Sequence, residues 1–211
     1  MRGKLVRGFV KAAKRKAPKK PETVLVLRTC AADMTSHGGF RWPEKGKVEA
    51  PDWDPVPECG NGLHGFLWGE GDGSLASFDA SARWLVVSVE ADAVVELEGK
   101  VKFPRGTVLH CGDRLTATTY LAEHGGRGRA IVGGTSTSGD GGTSTSGYGG
   151  TSTSGDGGTS TSGERGEIRI RWWDGHANRY RTEVGYVGEG GIEPNVPYRL
   201  DEARKFVEVT S

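Results

Sequence analysis

The sequence is poor in cysteine, in methionine and in long apolar runs, and each shortage removes a class of protein. Its three cysteines, Cys30, Cys59 and Cys111, stand far apart and are odd in number. That spacing argues against a disulfide-stapled secreted domain and for a reducing compartment. No CxxC pair occurs, although tetrahedral metal sites are usually built on a tight ligand pair. Cys59 and His64, even joined by Cys30, His110 and Cys111, therefore do not make a structural zinc site, and no metal or cofactor is expected. No run approaches the roughly eighteen apolar residues of a membrane-spanning helix. The basic N-terminus is not read as a signal peptide, because Arg7 and Gly8 break its apolar part, Leu5, Val6, Phe9 and Val10. Catalytic groups are also missing. A Cys59–His64 pair lacks a third orienting group, and GEGDGS lacks the lysine and helix of a phosphate-binding loop. A non-enzymatic protein is expected.

Glycine, by contrast, is abundant, with 35 residues in 211. The net charge of +1 hides an asymmetry. Nine of the 28 basic residues lie within residues 1–20, which carry no acidic residue, so the remainder holds 19 basic against 27 acidic groups. Residues 1–22 thus read as a basic arm, ended by Pro18 and Pro21, with Lys14, Arg15 and Lys16 as its densest cluster. Such an arm fits attachment to nucleic acid or to another virion or host protein by charge that salt screens.

Residues 23–133 read as a compact β-rich body. TVLVLRT, GGFRWP, KVEAPDW, GLHGFLW, RWLVVSVEAD, AVVELEG and KVKFPRGTVLHCG are short apolar runs bounded by Gly, Pro or Asp. One helix is expected over Arg114–His124, ended by Gly125 and Gly126, and a shorter one over Leu75–Arg83. A pocket for a small anionic ligand is expected near Arg28, His64, Trp68 and Glu70, with tryptophans lining it.

Residues 134–166 hold four octads that align on Thr135, Thr143, Thr151 and Thr159, each reading T-S-T-S-G followed by one variable and two turn positions. Gly/Ser composition alone is that of a flexible linker. Strict register and threonine at alternate positions argue instead for strands. The variable position runs Asp140, Tyr148, Asp156, Glu164, which predicts two octads per sixteen-residue turn of a small β-solenoid. Serine then points into a narrow core, and Thr135, Thr137, Thr143, Thr145, Thr151, Thr153, Thr159 and Thr161 form outward ladders. Ladders of this kind invite an ice-binding role, but two short rungs per face offer little area, so a display role is expected instead. A calcium-binding roll is set aside because the GGxGxD spacing is absent.

Residues 167–211 read as a closing hairpin, EIRIRWW and RYRTEVGYV around DGHAN, followed by turns and a last strand, KFVEV. Counting alternate positions places Ile168, Ile170 and Trp172 on one face with Tyr180, Thr182, Val184 and Tyr186. That leaves Arg169, Arg171, Arg179 and Arg181 together on the other, where they either pair with the acidic body, the reading favoured here, or bind an anion.

VLRTCAADMTSHGGFRWP, ECGNGLHGFLWGEGDG, KVKFPRG, the octads and GYVGEGGIEPNVPYRLDE together resemble an uncharacterised family of bacteriophage and actinobacterial proteins classed as a domain of unknown function. Cys59, Gly62, Leu63 and His64 match its C-x-x-G-[LF]-H signature, and tandem T-x-T-x-G repeats are common in it. The resemblance spans residues 23–211 and implies a phage setting, with the protein in the virion or the host cytoplasm. The expectation is therefore a mainly-β structural or binding protein that displays the threonine-faced stack. The alternative is a protein that sequesters a nucleotide-like molecule to counter host defence.

Overall fold

The computed structural model of the protein describes residues 22–210; the basic arm, with Lys14, Arg15 and Lys16, lies outside them apart from Glu22. The fold is mainly β. In the body, strands β1 (Thr23–Cys30), β2 (Gly46–Glu49), β3 (Leu63–Leu67), β4 (Arg83–Glu90), β5 (Val95–Leu97), β6 (Lys100–Phe103) and β7 (Arg105–Gly112) form one sheet in the order β2-β7-β4-β1-β3-β6-β5. All of its neighbours are antiparallel. The two most continuous apolar runs, LVL of β1 and WLVV of β4, lie side by side at the centre because both of their faces are covered. One face buries Val26, Leu85, Val87, Val101 and Phe103, with Met34 and Trp42 from the loops closing over it. The other buries Leu27, Phe66, Trp84 and Val86 against α1 (Arg114–Leu121), which contributes Ala117 and Leu121.

Local chemistry sets the element ends. Pro104 divides KVKFPRGTVLHCG into β6 and β7 because it has no N–H to give a ladder. Asp113 starts α1 by accepting a hydrogen bond from the Thr116 N–H at 2.8 Å. The helix ends at Leu121 rather than His124; a wide turn over Ala122–Gly126 follows, with Gly125 at φ +115°. The helix expected over Leu75–Arg83 is absent. A single turn over Gly73–Leu75, capped by Asp72, gives way to extended chain. That chain is held by Thr29 Oγ1, which accepts from Ser77 N, and by Phe78, whose ring meets Trp84 at 5.6 Å. GGFRWP forms only one isolated bridge, Thr35 with Arg41.

The octads supply β8 (Thr135–Thr137), β9 (Thr143–Thr145), β10 (Thr151–Ser154) and β11 (Thr159–Thr161). β8 pairs in parallel with β10, Thr135 beside Thr151, and β9 with β11, Thr143 beside Thr159. The repeat in space is thus sixteen residues, with successive octads alternating between two sheets. Each Gly-Gly turn needs a left-handed residue, and Gly141, Gly149 and Gly157 take φ of +66°, +61° and +68°. In the fourth octad Arg165 occupies the same position at φ +56°.

The chain then extends both sheets. β12 (Glu167–Asp174) runs parallel to β10, so that Ile168 and Ile170 lie beside Ser152 and Ser154, and β13 (Arg179–Tyr186) folds back along β12. β14 (Tyr198–Leu200) crosses β11 antiparallel at Ser160, and β15 (Phe206–Glu208) closes that sheet. A small apolar core of Ile168, Ile192 and Tyr198 seals this end. At the other end, Gly147 N bonds to Ile131 O at 3.0 Å and Gly133 N to Tyr148 O at 2.8 Å, tying the first turn to the body.

Candidate functional site

The interior of the octad stack is polar, which an apolar core of this width would not be. Ser144, Ser146, Ser152, Ser154, Ser160 and Ser162 are all buried. Ser146 and Ser162 share a hydrogen bond at 2.8 Å, Ser152 Oγ donates to Ser144 O at 2.8 Å, and Ser160 Oγ to Ser154 Oγ at 3.0 Å. Serine fits because two facing strands leave room for one carbon and one oxygen per side chain. The bonds of Ser146, Ser152, Ser154, Ser160 and Ser162 offset their desolvation, whereas Ser144 Oγ is buried without a partner. Outward, the threonines stand in rows. Thr135 and Thr151 line up with Glu167, and Thr137 and Thr153 with Arg169; Thr143 and Thr145 line up with Thr159 and Thr161. Rungs of a sheet lie about 4.8 Å apart, and alternate residues along a strand about 6.6 Å apart. Each face is therefore a small rectangular grid of methyl and hydroxyl groups. Thr135, Thr137 and Thr143 are exposed and the other five half-exposed. The Glu167–Arg169 ion pair closes the first grid.

The variable position divides the two edges of the stack. On one edge the Asp140 carboxylate accepts from Asp156 N at 3.0 Å and from the Tyr180 hydroxyl at 3.3 Å. Asp156 in turn accepts from Trp173 N at 3.2 Å. Carboxylates here cap the N–H groups of the next turn. On the other edge Tyr148 faces the body. Its ring lies 5.6 Å from that of Phe78 and covers Gly73, where a side chain would collide with it. Arg165 stands over the tyrosine ring at 6.0 Å.

Of the residues expected around a ligand pocket, the fold brings Arg28 and His64 together and separates Trp68 and Glu70 from them. Arg28 Nη1 donates to His64 O at 3.3 Å, and both side chains line a cavity of about 710 Å³ in the body. Trp68 and Glu70 instead hold Arg129. Glu70 meets its guanidinium at 2.7 Å, Trp68 lies under it at 5.2 Å, and Ala130 N bonds the same carboxylate. Their role is to fix the chain just before the octads.

The cavity's other polar residues come from β6 and the loop before β3. Lys100 Nζ donates to Cys59 Sγ at 3.0 Å. Lys102, only 1% exposed, does not line the cavity; it donates to the Glu58 carbonyl at 2.9 Å and lies over Trp53. Burial, then the cations of Lys100, Arg28 and Lys102, push the His64 pKa down to about 4, so the imidazole is neutral near pH 7. The hydrogen bond from Lys100 holds the Cys59 thiol below its ordinary pKa, whereas burial raises that of Cys30. Cys111 contacts Arg83 and Met34 instead. Among the described residues no group of three or more His, Cys, Asp or Glu side chains is placed to hold a metal ion.

The four hairpin arginines do not share a face. Ile170 pairs with Glu183 and Trp172 with Arg181, whereas Arg169 pairs with Val184 and Arg171 with Thr182. Paired residues point the same way, so Arg169 and Arg171 lie on one side, and Arg179 and Arg181 on the other. Each of three has a local partner. Arg169 pairs with Glu167, Arg181 sits at 2.5 Å from Asp174, and Arg171 lies over Tyr180 at 4.4 Å.

A family model described as a domain of unknown function (DUF7666) matches residues 24–123, which is the body without the octads. Curated relatives carry a different name. The chain is 46% identical over 107 residues, half its length, to ice nucleation protein InaU of Pantoea ananas. It is 48% identical over 103 residues to an ice nucleation protein of Xanthomonas campestris pv. translucens, and 42% over 119 residues to one of Pseudomonas syringae pv. syringae. The chain spans about a tenth or less of the length of these relatives (10%, 7% and 10%). No solved structure matches. These relatives are bacterial proteins named for ice nucleation, which overturns the phage setting, the virion or host-cytoplasm location, the display role and the alternative of sequestering a nucleotide-like molecule.

Proposed function

We propose that the threonine rows are a water-ordering surface of the ice-binding or ice-nucleating kind, carried on a short β-solenoid and anchored by Tyr148 to a separate β body. The observation that carries this reading is the in-register stacking of Thr151 on Thr135 and Thr153 on Thr137, repeated by Thr159 on Thr143 and Thr161 on Thr145. Water beside a mobile hydroxyl samples many positions. Hydroxyls and methyls fixed to a hydrogen-bonded sheet instead hold first-layer water on a two-dimensional grid. Relatives named for ice nucleation support reading this chain in that direction. No chemical step is involved.

The small area that argued against this role becomes a statement about temperature. The size of ice embryo that must form falls as supercooling deepens, so a two-rung grid acts only in colder water than a long array does. The test is the freezing temperature of microlitre droplets containing the full chain, against buffer and against a variant with Thr137→Lys and Thr153→Lys. The account expects droplets of the unaltered protein to freeze warmer than buffer. The variant, with a folded circular-dichroism spectrum, is expected to freeze colder than the unaltered protein, because one of its two grids is lost. Freezing indistinguishable from buffer, or unchanged by the two lysines, contradicts the proposal.

A further inference from the structure

The cavity in the body has a charge that neither the fold nor the octads use. Arg28 from β1 and Lys100 from β6 line it, and neither forms a salt bridge among the described residues. Arg28 spends one nitrogen on a carbonyl and lies over the Trp42 ring at 5.6 Å, while its Nε is buried with no hydrogen-bond partner. His64 Nε2 is likewise buried and unpartnered. The carboxylate in the lining, Asp52, is engaged by Gly62 N at 3.1 Å. Two cations against one carboxylate is an imbalance that a small domain would not need for stability, since each desolvated charge costs free energy unless it is paired.

The other walls are apolar. Phe40 and Leu75 face the space from opposite loops, and Phe66 lies on the β3 side. At about 710 Å³ the cavity has the volume of small-molecule sites, which run from about 300 to 1,000 Å³. Apolar walls with a few convergent cations select a ligand that has an apolar body and one anionic group.

We propose that this cavity binds a small aromatic anion, its carboxylate or phosphate held by Arg28 and Lys100 and its ring by Phe40 and Leu75. Lys102 acts from behind, fixing the 58–60 loop that forms one wall and adding to the positive potential. The site belongs to the body matched by the family of unknown function, and its occupancy is independent of the threonine rows.

Isothermal titration of the full chain with phenyl phosphate, benzoate, inorganic phosphate and phenol tests this. Phenyl phosphate or benzoate is expected to bind more tightly than inorganic phosphate and than phenol, because only they engage both halves of the site. Lys100→Gln and Arg28→Gln are each expected to weaken binding about tenfold, the worth of a charge-assisted hydrogen bond. Arg129→Gln, a cation outside the cavity, leaves it unchanged. If Arg28→Gln does not fold, Lys100→Gln alone decides. Absence of binding by both aromatic anions, equal binding of inorganic phosphate, or an Arg129→Gln loss as large as that of Lys100→Gln overturns the proposal.

Discussion

Tyr148 and Gly73 together test how the octad stack is held to the body. Replacing Tyr148 by alanine removes a ring that packs on Phe78 and Gly73. A fully buried aromatic costs about 3–5 kcal/mol on truncation, so a half-exposed one is expected to cost about 2 kcal/mol. The converse change, Gly73→Ala, places a methyl 2.4 Å from Tyr148 Cβ and Cγ, far inside contact distance. Gly73 is not in the left-handed region, so the penalty is overpacking alone, about 1–3 kcal/mol. In the double variant the clashes with the ring's Cγ and Cδ1 are gone and only the close approach to the Cβ that alanine keeps remains, so much of the overpacking is relieved. The two losses should then sum to at least about 1 kcal/mol more than the double variant shows. Urea unfolding followed by tryptophan fluorescence reads all four proteins, with Trp84 next to Phe78 reporting on the contact. Additivity within about 0.5 kcal/mol refutes the docking of the stack through this tyrosine.

Three further outcomes follow from the same geometry. Ser160→Ala removes a buried hydroxyl that bonds Ser154 Oγ and the Arg169 carbonyl, and is expected to lower unfolding free energy by about 1–2 kcal/mol in chemical denaturation. Arg165→Gly relieves a left-handed backbone that the other octads assign to glycine, so a stabilisation of about 1 kcal/mol is expected in the same assay. His64 is held neutral in the fold, with its pKa at about 4, whereas the unfolded chain takes up the proton near 6.5. Stability attributable to it is therefore complete above about pH 6.5, falls as the pH drops toward about 4, and changes no further below that. A flatter stability profile between those values in His64→Gln checks the assignment, and an unchanged slope contradicts it.

The octads were legible because a period is a local property. Threonine and serine alternate, so the outward and inward sets follow from the pleat alone, and Asp140 with Asp156 against Tyr148 announces two different edges. What the tyrosine touches is not local, since Phe78 and Gly73 lie seventy or more residues upstream. The hairpin failed for want of a register. The apolar face of each strand is visible separately, but only the pairing of Trp172 with Arg181 shows that Tyr180 and Val184 sit opposite Ile168 and Ile170. The cavity was half visible. Arg28 and His64 meet because β1 and β3 are neighbours, while Lys100 arrives from β6, whose place beside β3 no nearby residue signals. Trp68 and Glu70 follow directly on β3, yet the turn at Trp68, with φ +54°, carries them toward Arg129.

Amide hydrogen exchange through the octads measures most directly whether the threonine rows exist as a fixed surface. Thr151 N bonds to Gly134 O and Thr159 N to Gly142 O, both at 2.9 Å, while Gly155 N bonds to Gly139 O at 3.1 Å and Gly163 N to Ser146 O at 3.2 Å. The account predicts that these four amides exchange at least about a hundredfold more slowly than the same residues in an unfolded peptide, since they open only with the stack. Exchange at the unfolded rate contradicts it, because threonines on a mobile chain hold no grid for water to follow.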